Sequence, residues 1–357
     1  MASLLEFFEP EHTAPLNYKD YEPNFIDAYL CAALSKLCYK ESVNSEHTDP
    51  EYKYAVKKTL LNWGWSPADA DKTIFINSRE IIGDEKKRPG TQGLIVFSND
   101  IVFICFRGSE KKFNDWFSNF NSQKVDCPYI PRTERFNRRD LSGVMDGIMN
   151  SQPRVHNGFL KAFDAILPEN DAQELAQVLQ SLNGKYIWLT GHSLGGAIAS
   201  VAASFLISKQ LPISGIYTFG APRVGNKAYR DYLNQNLTYK YWRFMNNHDL
   251  VPDIPLPGLS LPVITEGLRT AGFSREGCML RLSDGSYEIL RLVDQDGQAI
   301  RLGSYTGKSI EDHMISTYMT LISQVIMKSK PDFPEATYEE IPDNFDLETT
   351  PADLQMI

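Results

Sequence analysis

The pentapeptide Gly191-His192-Ser193-Leu194-Gly195 constrains this chain more than any other five residues. A serine with glycine two positions away on either side suits a strained turn from a strand into a helix, because glycine lets the two backbones pass closely. The flanks agree with that reading. Tyr186-Ile187-Trp188-Leu189 is an apolar lead-in, and Gly196-Ala197-Ile198-Ala199 opens a helix of small residues. A glycine-rich turn without chemistry is the bland alternative, and this context disfavours it. Ser193 is therefore a candidate nucleophile at the end of a buried strand, and strands should alternate with helices around it.

That alternation runs through the chain. Ile101-Val102-Phe103-Ile104-Cys105-Phe106 is apolar at every position, the pattern of a strand covered on both faces. It forms a hairpin with Leu94–Phe97 across Ser98-Asn99-Asp100. Helices are predicted at Phe159–Leu167, at Ala172–Leu182, from near Ser193 to Ser208, and at Asn226–Leu233. Strands are predicted at Lys185–Thr190, Gly215–Phe219 and Tyr239–Met245. The order implies an α/β fold with a mostly parallel central sheet and helices on both faces. Upstream, Asn24–Lys40 and Glu51–Trp63 read as helices, Ser66-Pro67-Ala68-Asp69 as a turn, and Thr73–Ile76 as a short strand. Asn121–Pro153 reads as irregular, Cys278–Arg301 as a small β excursion, and Asp312–Lys328 as the last helix. The expected division is a helical layer over 1–88 packed on the main domain, a catalytic domain over 89–330, and an acidic, flexible tail over 331–357.

Charge and cysteine usage narrow the partners. The net charge is −9, which argues against nucleic acid, since phosphate binding needs clustered Lys and Arg. Residues 331–357 hold eight acids and no Lys or Arg, so the rest is nearly neutral. Five cysteines without a CxxC or metal-type spacing point away from a disulfide framework and toward a reducing compartment. The first residues carry Glu6, Glu9 and Glu11 where a signal peptide has Lys or Arg, and they lack an apolar stretch. The longest apolar runs fall far short of a membrane span. The expected location is cytoplasmic, with any membrane contact peripheral. Export by a route that uses no signal peptide stays open, as does the oligomeric state.

A nucleophilic serine needs a base, and the base needs an acid to orient it. The usual chain order on such a fold is serine, acid, histidine. Beyond Ser193 only His248 and His313 qualify. His248 directly precedes Asp249, so one strand end would have to supply both roles; His313 is the better base. Asp249 follows the strand Tyr239–Met245 closely, at the strand end where open α/β sheets gather their sites, and Asp253 is its rival. The oxyanion needs donors. One is the backbone N–H of Leu194. The other should come from the turn Arg107-Gly108-Ser109, where Ser109 offers an N–H and a hydroxyl.

From Leu94 to about Leu321 the chain resembles the class 3, fungal-type triacylglycerol lipases of the α/β-hydrolase superfamily. The resemblance rests on Phe103-Ile104-Cys105-Phe106-Arg107-Gly108-Ser109, Asn114-Asp115-Trp116, Val155-His156-Asn157-Gly158-Phe159, Thr190 through Gly196, Thr218-Phe219-Gly220-Ala221-Pro222-Arg223-Val224-Gly225, Asn247 through Pro252, and Asp312-His313. It implies a triad of Ser193, Asp249 and His313 with oxyanion donors at Ser109 and Leu194. His156 and His192 are framework positions in that family. The long stretch Asn121–Pro153 and the insertion within Ile254–Glu311 depart from the family pattern beside the acyl site, so its substrate preference does not carry over.

The implied activity is hydrolysis of lipid acyl esters, a lipid or other ester being the partner, with no metal or organic cofactor. A phospholipase A1-type or short-chain carboxylesterase activity on the same triad is the alternative, and a non-catalytic binding or toxin-like module is a third. Within 110–153, Phe113, Trp116, Phe117 and Phe120 fall at helical spacing on one stripe. A lid that opens against a lipid interface and a permanently packed helix both account for it.

Overall fold

Asn24 starts the first helix. In the computed structural model its side-chain oxygen accepts from the amides of Ile26 and Asp27 at 2.9 and 3.3 Å, satisfying two donors that a helix start leaves over. The structure describes residues 4–8, 23–39, 50–77, 92–108, 124–131, 152–167, 172–238, 240–246, 249, 251–253, 278–283, 286–290 and 311–338. Helix α1 (Phe25–Leu37) is buried at every position from Asp27 to Ser35, as expected of a helix covered all round. Next come α2 (Pro50–Asn62), α3 (Pro67–Ala70) and β1 (Ile74–Asn77). The predicted turn at Ser66 is thus one helical turn, because the Ser66 hydroxyl caps the Asp69 amide. The hairpin of β2 (Gln92–Ser98) and β3 (Ile101–Phe106) closes with Ser98 opposite Ile101. Asn99 sits at φ 47°, a conformation asparagine tolerates.

The stretch 121–153, predicted irregular, contains a strand. β4 (Lys124–Asp126) pairs antiparallel with β5 (Arg154–His156) in a separate two-stranded sheet. The remaining elements are α4 (Asn157–Asp164), α5 (Ala172–Leu182), β6 (Tyr186–His192), α6 (Leu194–Ser208), β7 (Ile213–Phe219), α7 (Lys227–Asn236), β8 (Tyr241–Asn246), β9 (Cys278–Ser283), β10 (Ser286–Leu290) and α8 (Ile315–Met327). The main sheet runs β1-β2-β3-β6-β7-β8-β9-β10. It is parallel from β3 through β9 and antiparallel at both ends. This is the mostly parallel sheet expected from the alternation of elements, in the α/β-hydrolase arrangement that the resemblance implies. The β excursion is a different matter: β9 joins the main sheet parallel to β8, from Trp242 opposite Cys278 to Asn246 opposite Leu282.

Strand residues divide by parity. Phe103, Trp188, Tyr217 and Phe244 face α1 and α8, while Val102, Ile104, Ile187, Leu189 and Ile216 face α4 and α6. Helix α1, with Tyr52, Val56 and Leu60 of α2, packs on the first of these faces. The tail expected to be flexible from 331 is packed through residue 338. Phe333 is buried, and Trp63 Nε1 donates to the Thr337 carbonyl at 2.7 Å. The Ala336 amide donates to the Tyr29 hydroxyl at 3.0 Å, and the Tyr338 hydroxyl to the Ala33 carbonyl at 3.2 Å. Aromatic anchors among the acids explain the difference. No helix among the described residues is long and apolar enough to cross a membrane.

Candidate active site

Ser193 sits between β6 and α6 at φ 57° and ψ −127°. That region costs a non-glycine residue about 1–3 kcal/mol. Its amide donates to the Phe219 carbonyl at 2.9 Å, and its carbonyl accepts from the Gly196 amide at 3.0 Å. The flanking glycines are sterically required. A Cβ on Gly191 would lie 2.3 Å from the Gly195 carbonyl carbon, and one on Gly195 would lie 2.1 Å from the Phe106 oxygen. Leu194 is the first residue of α6, so its N–H is among the amides a helix leaves unused at its positive end.

Asp249 lies just beyond β8 and is fully buried. Its Oδ2 accepts from His313 Nδ1 at 2.7 Å and from the Tyr318 hydroxyl at 2.6 Å, and its Oδ1 accepts from the Val251 amide at 2.8 Å. Three donors on one carboxylate are what burial of such a group requires. Burial and then the charge of Asp249 push the Tyr318 phenol well above the ordinary tyrosine range, so it remains the donor. The Tyr318 oxygen in turn accepts from the Asn246 amide at 2.9 Å. His313 ends a short 3-10 turn, Glu311–His313, pinned where Asn246 Nδ2 donates to the Asp312 carbonyl at 2.9 Å.

Phe219-Gly220 joins the two halves of the site. Phe219 holds the Ser193 amide, and Gly220, at φ 58°, faces the acid–histidine pair. A Cβ there would lie 2.7 Å from Asp249 Oδ2 and 2.9 Å from the His313 ring. The structure thus brings Ser193, Leu194, Asp249 and His313 to one end of the sheet. Ser109, Phe113, Trp116, Phe117, Phe120, His248 and the Asp253 side chain lie outside the described residues. Tyr318 and Gly220 were not singled out from sequence. Gly220 stands inside a quoted motif, whereas nothing in local spacing marks Tyr318. A cavity of about 550 Å³ lined by Tyr129, Ile130, Ser208 and Lys209 lies at the opposite end of α6. A helix of that length spans about 20 Å, so this cavity is remote from Ser193.

Fold and site define an α/β-hydrolase with a serine elbow and a buried aspartate–histidine pair at one end of the sheet. Residues 103–258 match the family model described as Lipase (class 3). The secreted mono- and diacylglycerol lipase 1 of Fusarium solani is 30% identical over 215 residues, 59% of this chain and 56% of that protein. The chloroplastic phospholipase A(1) DAD1 of Arabidopsis thaliana is 26% identical over 243 residues, 64% of this chain and 51% of that protein. The chain spans about half the length of the curated relatives it matches. A solved fungal lipase–inhibitor complex, a model for interfacial activation in lipases, shares the fold with a TM-score of 0.50 at 20% identity, over 84% of this chain and 96% of that one.

Proposed function

We propose that this protein hydrolyses the carboxylic esters of acyl lipids through an acyl-enzyme on Ser193. His313 takes the Ser193 proton as Oγ attacks the ester carbonyl, then returns it to the departing alcohol; a water repeats the sequence to release the acid. Asp249 fixes the imidazole tautomer and stabilises the imidazolium. The Leu194 N–H, with Ser109 from the turn after β3, stabilises the oxyanion. One observation carries the reading: the strained Ser193 turn and the buried Asp249–His313 pair are held together around Phe219-Gly220.

The relatives named as acylglycerol lipase and phospholipase A(1) support an acyl lipid as substrate. The aromatic stripe Phe113, Trp116, Phe117 and Phe120 is read as a lid over the acyl groove. The test is a chain-length series of p-nitrophenyl esters beside emulsified triacylglycerol and phospholipid vesicles, with Ser193→Ala in parallel. Hydrolysis of the lipid substrates, abolished in Ser193→Ala, is expected. Turnover confined to short soluble esters would make the protein a carboxylesterase. A folded Ser193→Ala variant with parental turnover would remove the mechanism.

A further inference from the structure

Tyr39 stands just beyond α1, outside the residues that match the family, and its hydroxyl lies within a hydrogen-bond chain that crosses the site. The Gly108 amide is 3.1 Å from the Tyr39 hydroxyl oxygen. That hydroxyl is 2.7 Å from His192 Nδ1, and His192 Nε2 is 2.5 Å from the His313 carbonyl oxygen. The direction of each link follows from what each atom can do. A carbonyl only accepts, so Nε2 of His192 carries the hydrogen. Burial, reinforced by the neighbouring His313, holds the His192 pKa well below its ordinary value, so the ring is neutral and Nδ1 is a lone pair. Tyr39 therefore donates to Nδ1, and the Gly108 N–H donates to the Tyr39 oxygen. The His192 ring also lies against the His313 ring, with centroids 4.6 Å apart.

We propose that Tyr39, acting through His192, is a positioning residue that holds the oxyanion turn and the catalytic histidine in register across Ser193. The inference rests on the catalytic reading given above. One end of the chain is Gly108, the residue before Ser109 in sequence; the other is the backbone of His313. Every link is directed. Rotating the Tyr39 hydroxyl away would cost the Gly108 amide this acceptor and the His192 ring this donor, and His192 is buried. The path also explains why a helical layer so far from Ser193 in sequence belongs to the working enzyme: the Tyr39–His192 contact joins residues 153 positions apart. Since Tyr39 acts by geometry, its loss should fall on the transition state and leave ester binding alone.

The test uses the full chain with Tyr39→Phe, His192→Gln and the double variant. A soluble p-nitrophenyl ester supplies kcat and KM, and an alkyl boronic acid serves as the tetrahedral mimic. Tyr52→Phe is the control: its hydroxyl donates to the Leu37 carbonyl at 2.8 Å in the same layer and takes no part in the chain. Tyr39→Phe should lower kcat about 10–100-fold, the scale expected for a small misplacement of catalytic groups. KM should stay within about twofold, and boronic acid affinity should fall by the same factor as kcat. The double variant should be no slower than the slower single variant, and Tyr52→Phe should lose stability alone. Parental kcat in Tyr39→Phe, additive losses in the double variant, or an equal kcat loss in Tyr52→Phe would overturn the inference. Should His192→Gln not fold, kcat and boronic acid affinity of Tyr39→Phe decide by themselves. Ser193→Ala separates the two failures: if it is inactive while Tyr39→Phe is parental, the catalytic reading stands and only the positioning role falls.

Discussion

The two faces of the central sheet are built differently. On the α4/α6 side, Val102, Ile104, Ile187, Leu189 and Ile216 meet Ile198, Val201 and Phe159, and the polar contacts gather on the α6 serines: Ser200 bonds the Gly196 carbonyl and the Tyr241 hydroxyl, and Ser204 the Val201 carbonyl and Cys127 Sγ. On the α1/α8 side, aromatic rings such as Phe103, Trp188 and Phe244 are threaded by long-range polar contacts. Thr190 donates to the Tyr217 carbonyl at 2.9 Å and lies 2.9 Å from the Ser35 hydroxyl; Tyr39 reaches His192, and Tyr318 reaches Asp249. The first face supplies mainly burial, which is non-directional, and those polar contacts of Ser200 and Ser204 do not reach the site. The second supplies direction, because hydrogen bonds fix angles as well as distances. The Asp249–His313 pair of the site is held from the second face, where Tyr318 donates to Asp249.

The comparison breaks or sharpens by substitution. Ser193→Ala, at the elbow between the faces, should lower kcat about 10⁶-fold, with the circular dichroism spectrum unchanged. Asp249→Asn on the polar face should cost about 10⁴-fold in kcat. Ile198→Ala on the apolar face should destabilise by about 2–5 kcal/mol, read from denaturant midpoints, while the folded fraction keeps its kcat. If Ile198→Ala slows the folded enzyme as well, the division of labour between the faces is wrong. Tyr318→Phe removes a donor to Asp249 and an acceptor for the Asn246 amide, so about 1–3 kcal/mol of stability should go, again by denaturant titration.

The smallest effect concerns acid. The His192 pKa is lowered on folding, so the unfolded chain binds its proton first as pH falls. Stability from that ring is complete above its unfolded value of about 6.5 and declines as pH drops below it. The melting temperature of His192→Gln should therefore fall less between pH 7 and pH 5 than that of the parent. An identical fall in both would show that His192 is protonated without cost in the fold.

Much of this was readable in the chain. Ser193 announced itself because its constraint is local: glycines at fixed offsets between an apolar strand and a small-residue helix. Asp249 stood out through its nearness to a strand end, and its carboxylate meets His313, while the Asp253 side chain lies outside the described residues. The polar thread was not readable, because Tyr39 meets His192 across 153 positions and no periodicity encodes a partner that far away. The β9/β10 hairpin showed its alternation, yet which strand it would pair with is equally non-local. The tail misled through its acids, since composition averages over Phe333 and Tyr338, the two rings that anchor it.

That anchoring has a consequence for how the protein is made. The Ala336 amide and the Tyr29 hydroxyl are 307 positions apart, so α1 leaves the ribosome long before the segment that straps it. At about 5–20 residues per second, a nascent chain would carry that apolar helix for on the order of 15–60 s before its strap is synthesised. During that time Leu30, Leu34 and Trp63 have no finished core to enter, which makes the emerging N-terminal layer a natural client for chaperones that hold apolar segments.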